Sequence, residues 1–161
     1  CSASSLSQDL GVTVAEAKEY MEAYFARFPG VKHYMESVVE KAKADGFVET
    51  LWHRRRALPE IKASNFNTRS FGERVALNMP IQGTAADIIK LAMVRVHRRL
   101  KGKNLAARLI MQVHDELIVE CPEDEAERVK ALLTEEMEGA AELSVPLTAE
   151  AHSGKNWLEA K

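Results

Sequence analysis

The sequence predicts an α+β fold, in which a helical hairpin is followed by long helices packed on a small antiparallel sheet. Three observations carry this prediction. Two stretches with helical apolar spacing meet at Pro29-Gly30, two short apolar runs bracket residues 114–116, and a further helical pattern covers residues 122–139. Apolar residues at helical spacing indicate amphipathic helices, whereas short runs rich in Val, Ile and Leu indicate strands.

Composition indicates one domain with a real core, since the chain has 161 residues and 46% of them are hydrophobic. No run of 18 apolar residues and no signal-peptide pattern occurs, so we expect a soluble, cytoplasmic protein without a membrane partner. Cys1 and Cys121 lack the spacing of a zinc site or a disulfide framework.

Charge is unevenly distributed, although the net charge is only −2. Residues 120–142 carry nine acids and two bases, whereas residues 1–119 carry 13 acids and 18 bases. The first three-quarters of the chain is therefore basic, which favours a nucleic-acid partner. The acidic segment is expected to be a solvated helix face.

The first half of the chain contains two predicted helices, while residues 1–12 show no recognisable element. The pair Thr13 and Glu16 forms a capping box that begins the first helix. Its predicted apolar face consists of Val14, Ala17, Met21, Tyr24, Phe25 and Phe28. The second helix would run from residue 31 to Gly46, antiparallel to the first.

Residues 47–61 are predicted to be extended and contain Arg54, Arg55 and Arg56 in succession. Three arginines at a turn are consistent with a solvated loop or with a phosphate clamp. The neighbouring Trp52 favours nucleic acid, because Arg and aromatic side chains together suit backbone and base contacts.

The central segment is predicted to form two helices, because Ser70 and Glu73 form a second capping box and Pro80 should break the helix. Arg74, Asn78 and Gln82 are spaced four apart across this break. Their donors suit acceptors in a DNA minor groove and phosphates. The alternative is that these three side chains form an ordinary polar stripe on the helix surface, with their hydrogen bonds already made, and do not contact DNA.

The segment from Leu109 to Val119 is predicted to be a hairpin of two buried strands, with the polar residues His114, Asp115 and Glu116 at its turn. A carboxylate near a core needs a positive partner. Asp115 is a candidate ligand for Mg²⁺, because this ion is usually bound by one or two carboxylates together with substrate phosphates. The side chain of Glu116 should point away from that of Asp115, because successive side chains along a strand alternate in direction. Two-metal phosphoryl transfer draws carboxylates from more than one strand, so this is half a site. An ordinary polar turn is the alternative. Residues 145–151 are expected to form a final strand.

The stretch from Leu109 to Pro122 resembles the third polymerase motif of family A DNA polymerases, the bacterial DNA polymerase I type. The stretch from Arg74 to Lys90 resembles the helix before that motif, and residues 25–31 and 50–59 also have family counterparts. The resemblance covers nearly the whole chain, and it implies a DNA-directed DNA polymerase. Residues 1–46 would then be part of the fingers subdomain and residues 47–161 part of the palm.

The resemblance also implies site residues. Asp115 corresponds to the metal-binding aspartate of the palm, Glu116 to its neighbouring carboxylate, and His114 to a residue beside the primer terminus. The residues implied to contact the primer–template duplex are Arg74, Asn78 and Gln82, with Arg69, Arg54, Arg55 and Arg56 as weaker candidates for backbone contacts. The implied cofactor is Mg²⁺, and the implied partners are primer–template DNA, a dNTP and the rest of the polymerase domain.

Two family features have no counterpart in this sequence: the first catalytic motif, with the other metal-binding aspartate, and the fingers helix that grips the nucleotide. We therefore expect the isolated chain to be inactive. One competing hypothesis is a non-catalytic orphan fragment that self-associates or binds DNA weakly. Another is a stand-alone metal-dependent phosphohydrolase built around Asp115.

Overall fold

The computed structural model describes residues 2–160 and confirms the α+β class. Its α-helices are α1 (Ala3–Leu10), α2 (Val14–Arg27), α3 (Pro29–Asp45), α4 (Phe66–Gly102) and α5 (Ala126–Glu138). Its strands are β1 (Phe47–Glu49), β2 (Arg55–Ala57), β3 (Arg108–Val113) and β4 (Glu116–Glu120). Short 3-10 helices occupy Pro59–Lys62 and Glu123–Glu125. The chain divides into two compact units. The first unit contains the residues up to 48 together with residues 55–78, and the second contains residues 49–54 together with the residues from 79 onward.

Helix α1 in the first unit was not predicted, because it is short and rich in serine, and Leu6 and Leu10 are its only large apolar residues. Its start is stabilised by Ser2, whose side chain accepts a hydrogen bond from the Ser5 N–H, and it ends at Gly11 in the left-handed conformation. Helix α1 packs against α2. The predicted capping box at the start of α2 is confirmed, since Thr13 and Glu16 exchange hydrogen bonds.

The predicted separation of α2 from α3 at Pro29 is confirmed, but α3 begins at Pro29 and not at residue 31. Helix α2 ends before Pro29, which is the first residue of α3, and α3 ends at Gly46 with φ +79°. Of the apolar face predicted for α2, Ala17 is buried, whereas Tyr24 and Phe28 are exposed.

The extended stretch that follows is confirmed in part. Strands β1 and β2 form a two-stranded sheet, and the 3-10 turn after β2 buries Leu58 and Ile61. Gly72 of α4 lies against this turn, because a Cβ there would be 2.9 Å from the Ile61 nitrogen.

The predicted break at Pro80 is wrong, since α4 runs without interruption through 37 residues. A proline inside a helix removes one hydrogen bond and costs about 3 kcal/mol. Burial along both halves of α4 outweighs this cost, as Ala76, Ala92, Val96 and Leu100 are almost completely buried. The start was also misplaced: Asn65, whose side chain accepts from the Thr68 N–H, caps the helix instead of Ser70.

The core of the second unit lies between the end of α4, the β3–β4 hairpin and α5. Its buried residues are Val96, Leu100, Ala107, Val129 and Leu132, and Leu109, Leu117, Val119 and Leu133 are among those packed against them. One face of the hairpin thus completes the core. The prediction of buried strands is wrong, because no residue of β3 or β4 is fully buried and Ile110 is 56% exposed.

Helix α5 begins later than predicted, at Ala126, and its buried residues are Val129, Leu132 and Glu136. Glu136 binds Arg95 Nε at 2.9 Å and Arg99 Nη1 at 3.1 Å, and Glu135 also binds Arg99. The acidic segment is therefore not only a solvated face. Its carboxylates hold the cationic end of α4.

The predicted strand at residues 145–151 is not formed. Its alternation survives in the half-buried Leu147, Ala149 and Ala151, but the Ala149 N–H donates to the Glu138 side chain and not to a strand. Between residues 2 and 160, no helix combines the length and the apolar character that a membrane crossing requires.

Candidate functional site

The tip of the β3–β4 hairpin is a two-residue turn formed by His114 and Asp115. Val113 pairs with Glu116, so the turn is as tight as a hairpin allows. His114 has φ +50°, a left-handed conformation that favours glycine and that histidine tolerates better than most residues. The side chain of Gln112 stabilises this conformation by donating to the His114 carbonyl at 2.6 Å.

The two carboxylates at the tip are exposed, which corrects the expectation that Asp115 lies near a core. Asp115 is at the apex and Glu116 is the first residue of β4. Carboxylate oxygens are hard donors of the kind Mg²⁺ prefers. No group of three or more possible ligands is assembled within residues 2–160, so the described chain offers at most part of a metal site.

The register of the hairpin decides which way these residues face. Leu109 pairs with Val119 and Met111 pairs with Ile118, so Ile110 is left without a partner as a bulge. Because directly paired residues share a face, the bulge reverses the alternation of β3. Leu109, Leu117 and Val119 face the core, while Glu116 lies on the opposite face with Met111 and Val113.

The three consecutive arginines occupy three different environments, which the sequence could not separate. Arg54 donates from Nε to Asp87 of α4 at 2.6 Å. Arg55 stacks over the Phe47 ring at 4.5 Å. Arg56 is simply exposed. The interpretation as a solvated loop therefore describes Arg56 but not Arg54.

The partner of Arg54, Asp87 of α4, was not predicted from the sequence. Asp87 is buried and accepts a hydrogen bond from Thr50 Oγ1 at 2.7 Å. This hydrogen bond, opposed by burial and assisted by Arg54, lowers the pKa of Asp87. The only available signal was a carboxylate three residues after Thr84 on the inward side of a helix.

The polar residues predicted to contact DNA lie on α4 at four-residue intervals. Arg74 and Asn78 belong to the first unit and Gln82 to the second, and all three side chains are exposed. Arg69 differs, because its Nη1 donates to the carbonyls of Ala63 and Ser64 and is committed to the start of the helix.

The chain as a whole is similar to known DNA polymerases. The model of DNA polymerase family A matches residues 1–159. DNA polymerase I of Bacillus caldotenax is 55% identical over 97% of the chain, and DNA polymerase I of Bacillus subtilis is 53% identical over the same share. The POL domain of Pol1 from M. smegmatis, solved in complex with DNA primer-template and dNTP, superposes with a TM-score of 0.94 at 46% identity over 99% of the chain.

The chain is much shorter than these proteins. It spans 18% of the length of the two Bacillus polymerases and 28% of the M. smegmatis chain.

Proposed function

Because this chain belongs to DNA polymerase family A, we propose that it works as part of a DNA-directed DNA polymerase. The reaction would be template-directed nucleotidyl transfer from dNTPs, in DNA replication or repair. The observation that carries the proposal is the close likeness to a polymerase domain solved with DNA primer-template and dNTP. The rest of the polymerase domain would supply the parts of the site that this chain does not.

The hairpin tip would supply the metal-binding carboxylates. Asp115 would be the inner ligand and Glu116, on its own strand face, an outer one. Mg²⁺ is the proposed ion, since two exposed carboxylates fit its habit of binding few protein ligands and completing its shell with substrate phosphates. When bound, the ions of a two-metal site stabilise the attacking and leaving oxygens of phosphoryl transfer.

His114 would lie beside the primer terminus. Its left-handed backbone and the hydrogen bond from Gln112 fix the main chain at the tip. A fixed tip suits a group that must hold a reacting end within a fraction of an ångström.

Arg74, Asn78 and Gln82 would contact the primer–template duplex, largely through its minor groove. Exposed amide and guanidinium donors along one helix match the acceptors that every base pair presents there. Such contacts read duplex shape more than sequence, which is what a polymerase requires. Arg54 and Arg56 would add contacts to the phosphate backbone. Arg55 and Arg69, which already have partners within the chain, would contribute less.

The subdomain assignment and the location follow from the same proposal. Residues 1–46 would belong to the fingers and residues 47–161 to the palm, in a cytoplasmic enzyme. The isolated chain would self-associate weakly, because the outer hairpin face exposes Ile110 and Met111.

The test is Asp115→Asn in the full-length polymerase that contains this segment, assayed by primer extension with Mg²⁺. Even outer-shell partners of a metal cost about 10–100-fold when lost, so we expect extension to fall by more than about 100-fold while duplex affinity stays within a few-fold. Asp124→Asn, an exposed carboxylate beyond the hairpin, is the matched control. The 161-residue chain alone should not extend primers. Normal extension by Asp115→Asn would refute the assignment of Asp115.

A further inference from the structure

A buried carboxylate on α4 holds the loop of residues 50–54 in place. Asp87 is only 5% exposed and is bound by Thr50 Oγ1 at 2.7 Å and by Arg54 Nε at 2.6 Å. Its neighbour Lys90 adds a favourable charge. A buried carboxylate with this set of donors is stable as the anion and is a fixed point of the fold.

The loop is further fixed to the helix by its own backbone. Thr50 Oγ1 accepts from the N–H groups of Trp52 and Arg54, and the Thr84 hydroxyl accepts from the Leu51 N–H at 3.1 Å. Gly83 allows the close approach, because a Cβ there would be 2.7 Å from Thr50 Cγ2. Loop and helix are thus fitted to each other one residue after Gln82.

The consequence for Arg54 is that only one edge of its guanidinium group is committed. Nε is bound to Asp87, yet the side chain is 58% exposed. A guanidinium group presents five donors in a rigid fork, so a group held at Nε still has outward donors for a second anion. Little rotamer freedom is left to lose when that anion binds.

We propose that Asp87 and Thr50 are positioning residues that hold Arg54 ready to bind a backbone phosphate of the primer–template duplex. The inference rests on the proposed function, which supplies the duplex. It separates Arg54 from its neighbours, since Arg55 stacks on Phe47 and Arg56 has no buried carboxylate bound to it among the described residues.

The experiment measures duplex affinity against KCl concentration for the full-length polymerase, using a primer–template without dNTP. Arg54→Gln should weaken binding about five- to tenfold at low salt and reduce the slope of log affinity against log salt by about 0.9, the value for one phosphate contact. Lys101→Ala, an exposed cation at the end of α4, is the control and should leave the slope unchanged.

Asp87→Asn separates positioning from simple charge. Removing a negative charge near a polyanion should tighten binding if Asp87 acts through charge alone, whereas positioning predicts a several-fold loss. Arg54→Lys, which keeps the charge but not the fork, should lose a similar amount. In the Arg54→Gln background, Asp87→Asn should have no further effect; a persisting loss would mean a general structural role and would overturn the inference.

The two proposals fail in different ways. If the wild-type enzyme does not bind duplex in a salt-dependent manner, the proposed function fails and this inference fails with it. If the wild-type enzyme binds duplex and Arg54→Gln leaves affinity and slope unchanged, only the positioning of Arg54 is refuted.

Discussion

Gly72 lies in α4 where the helix meets the backbone of the 3-10 turn at residues 59–62, and replacing it with alanine sets two effects against each other. Alanine is favoured over glycine within a helix by about 1 kcal/mol. An added Cβ, however, would lie 2.9 Å from the Ile61 nitrogen and 3.0 Å from both the Glu60 carbonyl carbon and Ile61 Cα. All three atoms belong to the main chain.

The second effect should win, because the turn cannot move aside easily. Ile61 and Leu58 are almost completely buried, so a shift of the turn would disturb the packing of both. Overpacking a core costs typically about 1–3 kcal/mol, which exceeds the gain in helix propensity. We expect Gly72→Ala to lower the free energy of unfolding by about 1 kcal/mol.

The assay is urea denaturation of the 161-residue chain followed by circular dichroism. With a denaturant slope of about 2 kcal/mol/M, the midpoint should fall by about 0.5 M. Gly30→Ala is the control in the same unit: it is also helical, but nothing lies within 4 Å of its Cβ position, so it should be neutral or slightly stabilising. A Gly72→Ala midpoint equal to or above that of Gly30→Ala would refute the reasoning.

Two further predictions concern buried carboxylates. Thr50→Val removes the hydrogen bond that most lowers the pKa of Asp87, so an NMR titration should show that this pKa is raised. The control variant Thr148→Val should leave the pKa of Asp87 unchanged. At pH values above its ordinary pKa of 3.8, the wild-type Asp87 carboxylate stabilises the fold. This contribution is lost as the pH falls through the lower pKa of the folded state, and Thr50→Val should lose it at higher pH. Glu136→Ala leaves Arg95 and Arg99 without their buried partner and should cost about 1–3 kcal/mol in urea denaturation, less than a fully buried pair because both guanidinium groups reach water. Glu127→Ala, which breaks a surface pair on the same helix, should cost below about 0.5 kcal/mol; equal losses for both would contradict the burial argument.

Elements with a local signal could be predicted from the sequence. The capping box at Thr13, the helix end at Gly46 and the hairpin turn, predicted at residues 114–116 and observed at 114–115, each depend on a few neighbouring residues. The confirmed family membership likewise follows from contiguous motifs, which survive as patterns in the chain.

Features that depend on distant residues could not be predicted. The cost of Pro80 is local, but the burial that outweighs it comes from packing along all of α4. The stretch at 145–151 alternates like a strand but is not paired with any strand within residues 2–160. Thr50 and Asp87 are 37 residues apart, and no periodicity relates a loop hydroxyl to a helix carboxylate. The roles of individual site residues stay predictions, because they depend on parts of the polymerase outside this chain.

The bulge at Ile110 makes chain length, more than residue type, the property that the hairpin must keep. Because Ile110 is exposed and has no partner in the register, we expect most substitutions there to leave the pairing of Leu109 with Val119 and of Val113 with Glu116 intact. Removing the residue would force a choice between keeping the core contacts of Leu109 and keeping a two-residue turn with Asp115 at its apex. Ile110 lies more than about ten ångströms along the strand from the apex. Deleting it would thus misplace the Asp115 carboxylate, whereas substituting it would not.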